Sequence, residues 1–145
     1  MGKITIASNY FNGLFLRMDG EGISQSGAGS GTVNCQYGAQ TYERFELIGQ
    51  ADGTFAIASI KFPGAYLRMD GNSNVVNCQV GVGPCEKFYI VPQGEGTVAF
   101  ISQAFPGKYL RMDGSGMTQF ALHGGGLVNC ATAVSTYERF RINLI

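Results

Sequence analysis

Charge is scarce in this chain. Asp, Glu, Lys and Arg make up 14 % of its 145 residues, and 10 basic and 10 acidic residues cancel to a formal net charge of zero. The usual charged share is about 25 %. Nucleic acids and polyanionic sugars are held by clustered Lys and Arg, so neither is an expected partner. No apolar run approaches the ~18 residues a membrane-spanning helix requires, which excludes insertion by a helix. Tryptophan is absent and histidine occurs once, as His123. A Cys–His or Ser–His–Asp catalytic set needs a nucleophile and an orienting group beside the imidazole, and the sequence supplies neither, so no enzyme is expected. Met1 to Ile6 has no apolar signal core, Ile6 breaks the myristoylation pattern, and no Asn is followed two positions later by Ser or Thr. A cytoplasmic protein is expected.

Glycine, by contrast, is abundant, at 22 of 145 residues. That is roughly twice the average usage of ~7 % and suggests a turn-rich β protein. The chain also repeats itself three times. Leu16-Arg17-Met18-Asp19-Gly20 recurs as Leu67-Arg68-Met69-Asp70-Gly71 and Leu110-Arg111-Met112-Asp113-Gly114. Val33-Asn34-Cys35 recurs as Val76-Asn77-Cys78 and Val128-Asn129-Cys130, and Glu43-Arg44-Phe45 as Glu86-Lys87-Phe88 and Glu138-Arg139-Phe140. In every copy the Phe follows the Asn by 11 positions.

Each repeat holds four short alternating runs punctuated by Gly, Pro and Asn, which is strand-and-turn spacing. Parity assigns their faces. Leu67 and Met69 share one face, and Tyr66, Arg68 and Asp70 the other. Val76 and Cys78 point inward, so Asn77 points outward. Pairing Met69 with Cys78 sets Leu67 against Val80, an all-apolar inward register. Repeats of about 1–50, 51–93 and 94–145 then form one all-β domain over 1–145. The architecture expected is a β-trefoil, a six-stranded barrel capped by three hairpins with pseudo-threefold symmetry. The hairpin loops differ: Asp70 precedes Asn77 by 7 positions, Asp19 precedes Asn34 by 15, and Asp113 precedes Asn129 by 16. Unequal sites are expected, with the first and third more alike.

Cys35, Cys78 and Cys130 are equivalent inward positions, and three symmetry-related thiols cannot all pair among themselves. Their spacing matches no metal motif, so neither metal nor cofactor is expected. Cys85 stands apart, replacing Tyr42 and Tyr137 of the other copies. The Gly27–Gly31 stretch lacks the Lys and the helix of a phosphate loop. Asp19, Asp70 and Asp113 precede glycines, and Asp-Gly is a turn former. A turn alone does not explain the outward Asn34, Asn77 and Asn129. Carboxylate and amide together accept from and donate to vicinal hydroxyls, the chemistry of neutral sugar recognition. Gly20, Gly71 and Gly114 would let a ligand approach the backbone. Arg17, Arg68 and Arg111 face outward with Glu43, Glu86 and Glu138, where a pair clamping each repeat is the plain expectation. Aromatics on which a sugar could stack are Tyr37, Phe120, Tyr42 and Tyr137, and His123 in its Gly-rich loop is a further contact candidate.

The Tyr-Leu-x-Met-Asp pattern followed by Glu-x-Phe resembles trefoils of the fibroblast-growth-factor and fascin type. Over essentially its full length the chain resembles the β-trefoil lectins, most of all the small mushroom fruiting-body lectins. That resemblance implies recognition of galactose and N-acetylgalactosamine, including the T-antigen disaccharide, by up to three sites on a homodimer that agglutinates cells. It implies sites at Asp19 with Asn34, Asp70 with Asn77, and Asp113 with Asn129. The Gln-x-Trp signature of ricin-type trefoils is missing, its region reading Tyr42-Glu43-Arg44-Phe45. Competing readings are a fascin-like cytoskeletal trefoil and a trefoil protease inhibitor acting through a single loop such as Gln119–Gly125.

Overall fold

A computed structural model describes residues 2–23 and 29–145. Ser24 to Ala28, and with them Gly27 and Ala28 of the Gly27–Gly31 stretch, lie outside the described residues. Twelve strands follow one another: β1 (Lys3–Ser8), β2 (Leu14–Asp19), β3 (Thr32–Tyr37), β4 (Phe45–Gly49), β5 (Phe55–Ser59), β6 (Ala65–Asp70), β7 (Val75–Val80), β8 (Phe88–Gly94), β9 (Thr97–Ser102), β10 (Tyr109–Asp113), β11 (Leu127–Ala131) and β12 (Phe140–Leu144). The first and fourth strands of each repeat pair in a ring, β1–β4–β5–β8–β9–β12 and back to β1, all antiparallel. Closure leaves this barrel no unpaired edge. The hairpins β2–β3, β6–β7 and β10–β11 cap it. The fold is a β-trefoil.

The alternation seen in sequence becomes the division between core and surface. In β6 every second residue, Ala65, Leu67 and Met69, is buried, while Tyr66, Arg68 and Asp70 are partly exposed. Core residues come in threes: Leu16, Leu67 and Leu110; Met18, Met69 and Met112; Phe45, Phe88 and Phe140, all fully buried. Each such side chain contributes about 1.5–3 kcal/mol by leaving water. Burial pushes the Cys35 and Cys78 thiols up to about 12 and Cys130 up to about 11. All four cysteines are free, and these three behave as small hydrophobes.

The hairpin register differs from the expected one by two residues. Leu67 faces Cys78, Met69 faces Val76 and Ala65 faces Val80. A shift of two preserves which face each residue takes, so an alternating pattern is blind to it. The turn decides: Gly71 to Asn74 close the hairpin in four residues, with Asn74 in the left-handed region at φ 62°. Asn tolerates that region better than most residues. The new register sets Arg68 opposite Asn77, as Arg17 faces Asn34 and Arg111 faces Asn129.

Candidate functional site

On the outward face of each hairpin one guanidinium holds three partners. Nη1 of Arg17, Arg68 and Arg111 donates to the Oδ1 of Asn34, Asn77 and Asn129, each at 3.3 Å. Nη2 lies 3.9, 3.7 and 3.2 Å from the Oδ2 of Asp19, Asp70 and Asp113. Nε lies 3.8, 3.9 and 3.7 Å from the Oε2 of Glu43, Glu86 and Glu138. Asp and Asn do share a face, as parity requires, but an arginine joins them. The clamp expected between Arg and Glu is part of this larger tetrad.

The glutamates are buried in single-turn 3-10 segments ahead of β4, β8 and β12. The other oxygen of each accepts the backbone N–H three residues earlier, from Gln40, Gly83 and Ser135, at 2.6–2.7 Å. Loss of water pushes the Glu43 and Glu86 carboxyls above the ordinary range, against the opposing pull of those N–H groups and the arginines. Each aspartate also caps its turn: the N–H groups of Glu21, Asn72 and Ser115 donate to Oδ1 of Asp19, Asp70 and Asp113 at 3.1, 3.0 and 2.9 Å. Hydrogen bonds from Ser73 and Ser115 hold Asp70 and Asp113 below the usual carboxylate range. A tetrad with two carboxylates and one guanidinium keeps a surplus negative charge facing solvent.

Gly20, Gly71 and Gly114 do not open the backbone to a ligand. All three are buried against the next repeat. A Cβ on Gly20 would lie 3.2 Å from Phe62, one on Gly71 would lie 2.6 Å from Phe105, and one on Gly114 would collide with Leu14. Glycine is needed there so that the three units can interlock.

The hairpin loops interlock them a second time. Each reaches the Cys of the following repeat. Ser30 exchanges two backbone hydrogen bonds of 2.8 Å with Cys78, and Gly125 exchanges two of 2.9 Å with Cys35. The short second loop does the same work with a side chain, Oδ1 of Asn74 accepting from the Cys130 N–H at 3.2 Å. The cover over a tetrad therefore comes from the preceding repeat. The third loop lies over Arg17 at Gly124 and the first loop reaches Arg68 at Gly29, whereas the four-residue turn that precedes the third tetrad reaches Cys130 through Asn74. The arginine side chains are accordingly 5, 12 and 26 % exposed. By this measure the first and second sites are the alike pair and the third is the odd one, contrary to the expectation from loop lengths.

Phe120 and His123 thus leave their own repeat and line the cleft of the first. That cleft, about 330 Å³, also includes Arg17, Asp19, Glu21 and Tyr42. The Arg17 guanidinium stacks on Tyr42 at 4.8 Å, and Arg111 on Tyr137 at 5.1 Å. A second cleft of about 410 Å³ lies beside Arg68, Pro84, Cys85 and Glu86, with Cys85 in place of the stacked tyrosine. Tyr37 does not line the first cleft. It braces the covering loop, its hydroxyl donating to the Met117 carbonyl at 3.3 Å. Asn34 is used twice within the protein, since its Nδ2 also donates to the His123 carbonyl at 3.1 Å.

Gln36, Gln79 and Asn74 were missed by sequence reasoning. Gln36 holds Ala121 at both backbone groups, and Gln79 accepts from the Gly29 N–H at 3.2 Å. A signal for them exists in the sequence. Val-Asn-Cys is followed by Gln36 and Gln79 in the repeats that receive a long loop, and by Ala131 in the one that does not. Among the described residues no three His, Cys, Asp or Glu side chains are grouped to hold a metal ion, and no helix is long and apolar enough to cross a membrane.

No protein-family model matches the chain, and no curated protein matches it in sequence. Solved structures do resemble it. A mosquitocidal holotoxin superposes with a TM-score of 0.81 at 14 % identity; the match covers 100 % of this chain and 17 % of the toxin's, so this chain spans about a sixth of that protein. ThreeFoil, a designed three-fold symmetric protein, matches with a TM-score of 0.76 at 18 % identity over 100 % of both chains. SeviL, solved with an asialo-GM1 saccharide, matches with a TM-score of 0.70 at 12 % identity over 98 % of this chain and 96 % of its own. These likenesses show the fold.

Proposed function

We propose that this protein is a multivalent carbohydrate-binding lectin for neutral glycans of the galactose and N-acetylgalactosamine type, the T-antigen disaccharide among them. The observation that carries this reading is the same Asp–Arg–Asn–Glu tetrad standing at three positions around one axis, with the aspartate of each reaching solvent. Repetition of a polar surface set, beyond what the core needs, is what a receptor for repeated ligands requires. The exposed edges of Asp19, Asp70 and Asp113 accept hydrogen bonds from sugar hydroxyls, while the asparagines and arginines fix the carboxylates in place. A bound saccharide on one similarly folded protein, SeviL, supports the reading.

No step of bond making is assigned, and the tetrads act by binding. A single shallow site has an affinity near millimolar, roughly −4 kcal/mol. Three sites pointing in different directions on a rigid barrel bridge several glycans, and avidity adds about 10²–10⁴-fold without new contacts. Agglutination of cells follows from that geometry, and pairing into a homodimer would double the valence.

Titration with galactose, lactose and N-acetylgalactosamine, followed at individual backbone amides by NMR, tests the proposal. Shifts grouped around Asp19, Asp70 and Asp113 are expected. No shift anywhere at about 50 mM sugar, well above a millimolar constant, overturns it. Shifts confined to one patch on addition of actin or a protease would instead favour a single-surface protein binder.

A further inference from the structure

We infer that the three sites are unequal receptors and that the first selects the ligand: a slot for the uncharged terminal hexose of a glycan, with Phe120 of the third repeat as its stacking wall and His123 at its rim. The inference rests on the carbohydrate-binding reading and deepens it.

Phe120 is 49 % exposed and its neighbour Leu122 is 76 % exposed. Apolar side chains left in water beside polar groups mark an interaction surface. These are not on a loose segment. Gln36 grips both backbone groups of Ala121, Asn34 holds the His123 carbonyl, Gly125 is laced to Cys35 and Tyr37 holds Met117. The loop loses its conformational freedom on folding rather than on binding, so the aromatic wall is preorganised. A pyranose presents an apolar face that packs on such a ring, and its hydroxyls then reach polar groups at the rim. Asp19, Glu21 and Gln40 stand in the same cleft as Phe120.

Charge narrows the ligand further. The lining of this cleft carries three carboxylates, Asp19, Glu21 and Glu43, against the single guanidinium of Arg17. A sialic acid or a sulfated sugar would meet like charge in a half-enclosed space, which is discrimination by repulsion. At the second cleft Arg68 faces two carboxylates, Glu86 and Asp70, one fewer than Arg17 faces, and among the described residues no aromatic lines the wall. Glu21 has no acidic counterpart elsewhere, its positions in the other repeats being Asn72 and Ser115.

Amide-resolved titrations of the full chain with lactose and with 3′-sialyllactose test this. Lactose should first shift amides at 19–21, 42–43 and 120–123. Phe120→Ala should weaken that set about tenfold, a loss of ~1.4 kcal/mol, with the amides around Asp113 titrating as before. Phe120→Tyr should retain binding, and the hydrogen-exchange protection of 118–125 should be unchanged in both variants, which separates a lost stacking surface from a disordered loop. 3′-Sialyllactose should bind the first set several-fold more weakly than lactose, and Glu21→Gln should narrow that gap. The inference fails if the three sets titrate together, if Phe120→Ala weakens all sets equally or none, or if 3′-sialyllactose binds the first set as well as lactose. No shift with either sugar at any site overturns the lectin reading itself.

Discussion

The first and third repeats carry the same four polar residues in the same geometry, yet they present different sites. Around Arg17 a 13-residue stretch from the third repeat, Gly114 to Gly126, closes over the tetrad and brings Phe120 and His123 with it. Around Arg111 the preceding hairpin ends in a four-residue turn, and no loop of comparable length among the described residues covers the guanidinium. The tetrad is thus a constant frame and the neighbour's loop is the variable part. Symmetry in sequence fixes the frame, and the order of the loops breaks the symmetry of function.

Arginine replacement should give the largest contrast. Arg17→Met leaves Glu43, 2 % exposed, without its cation, and a broken buried pair costs about 3–5 kcal/mol. Arg111→Met strands a buried carboxylate too, Glu138 at 4 % exposure, but Arg111 is itself 26 % exposed, so water entering at the vacated guanidinium reaches that carboxylate. Arg111→Met should therefore cost less, about 1–3 kcal/mol, and parallel urea unfolding of the two variants measures the gap. Equal losses would mean that cover does not set the energetics.

Gly124→Ala comes next. Gly124 adopts φ +70°, and a Cβ there would lie 2.7 Å from Asn34 Oδ1 and from the Cys35 carbonyl. Left-handed strain of about 1–2 kcal/mol adds to the clash, so a loss of about 2 kcal/mol is expected, together with faster hydrogen exchange in 117–125. Gly107 has a similar φ of +85° in open space, and Gly107→Ala should show the strain alone.

Removing a single side-chain clamp should do less. Gln36→Ala deletes both hydrogen bonds to Ala121 and makes the first repeat like the third, which has Ala131 there. At about 0.5–1.5 kcal/mol per hydrogen bond, a loss of about 1–2 kcal/mol is expected, with the loop opening before the barrel in hydrogen exchange.

Acid should give the smallest contrast. Asp113 is held below its ordinary value by hydrogen bonds from Ser115, so the folded state binds its proton less readily than the unfolded chain. Its contribution is present above an unfolded value of about 3.9 and is lost as pH falls through the lowered folded value. Glu43 runs the other way. Burial raises it, so acidification through that raised value favours the folded state. Thermal unfolding of Asp113→Asn between pH 5 and 2 should show a shallower acid limb than the parent, and Glu43→Gln a steeper one.

The repeats, the all-β class, the inward Leu, Met, Cys and Phe positions and the shared face of Arg, Asp and Asn were legible in the sequence. They follow from local rules, since a strand alternates faces with period two and a repeated motif folds into a repeated unit. That sufficed to place Arg, Asp and Asn on one face, but not the glutamates: expected outward, they are 2–5 % exposed, because single-turn 3-10 segments carry them beneath the arginines. The register did not follow, because a slip of two residues leaves the alternation intact and the turn at Asn74 chooses between the two pairings. The role of Gly20, Gly71 and Gly114 did not follow either, because their neighbours Phe62, Phe105 and Leu14 lie in other repeats. Nor did the owner of each cleft. Phe120 and His123 sit 86 or more positions from Asn34, and a contact of that span exists only once the barrel closes and sets the end of one repeat beside the start of another. Sequence determined what each repeat displays, and the closed tertiary structure decided which repeat completes it.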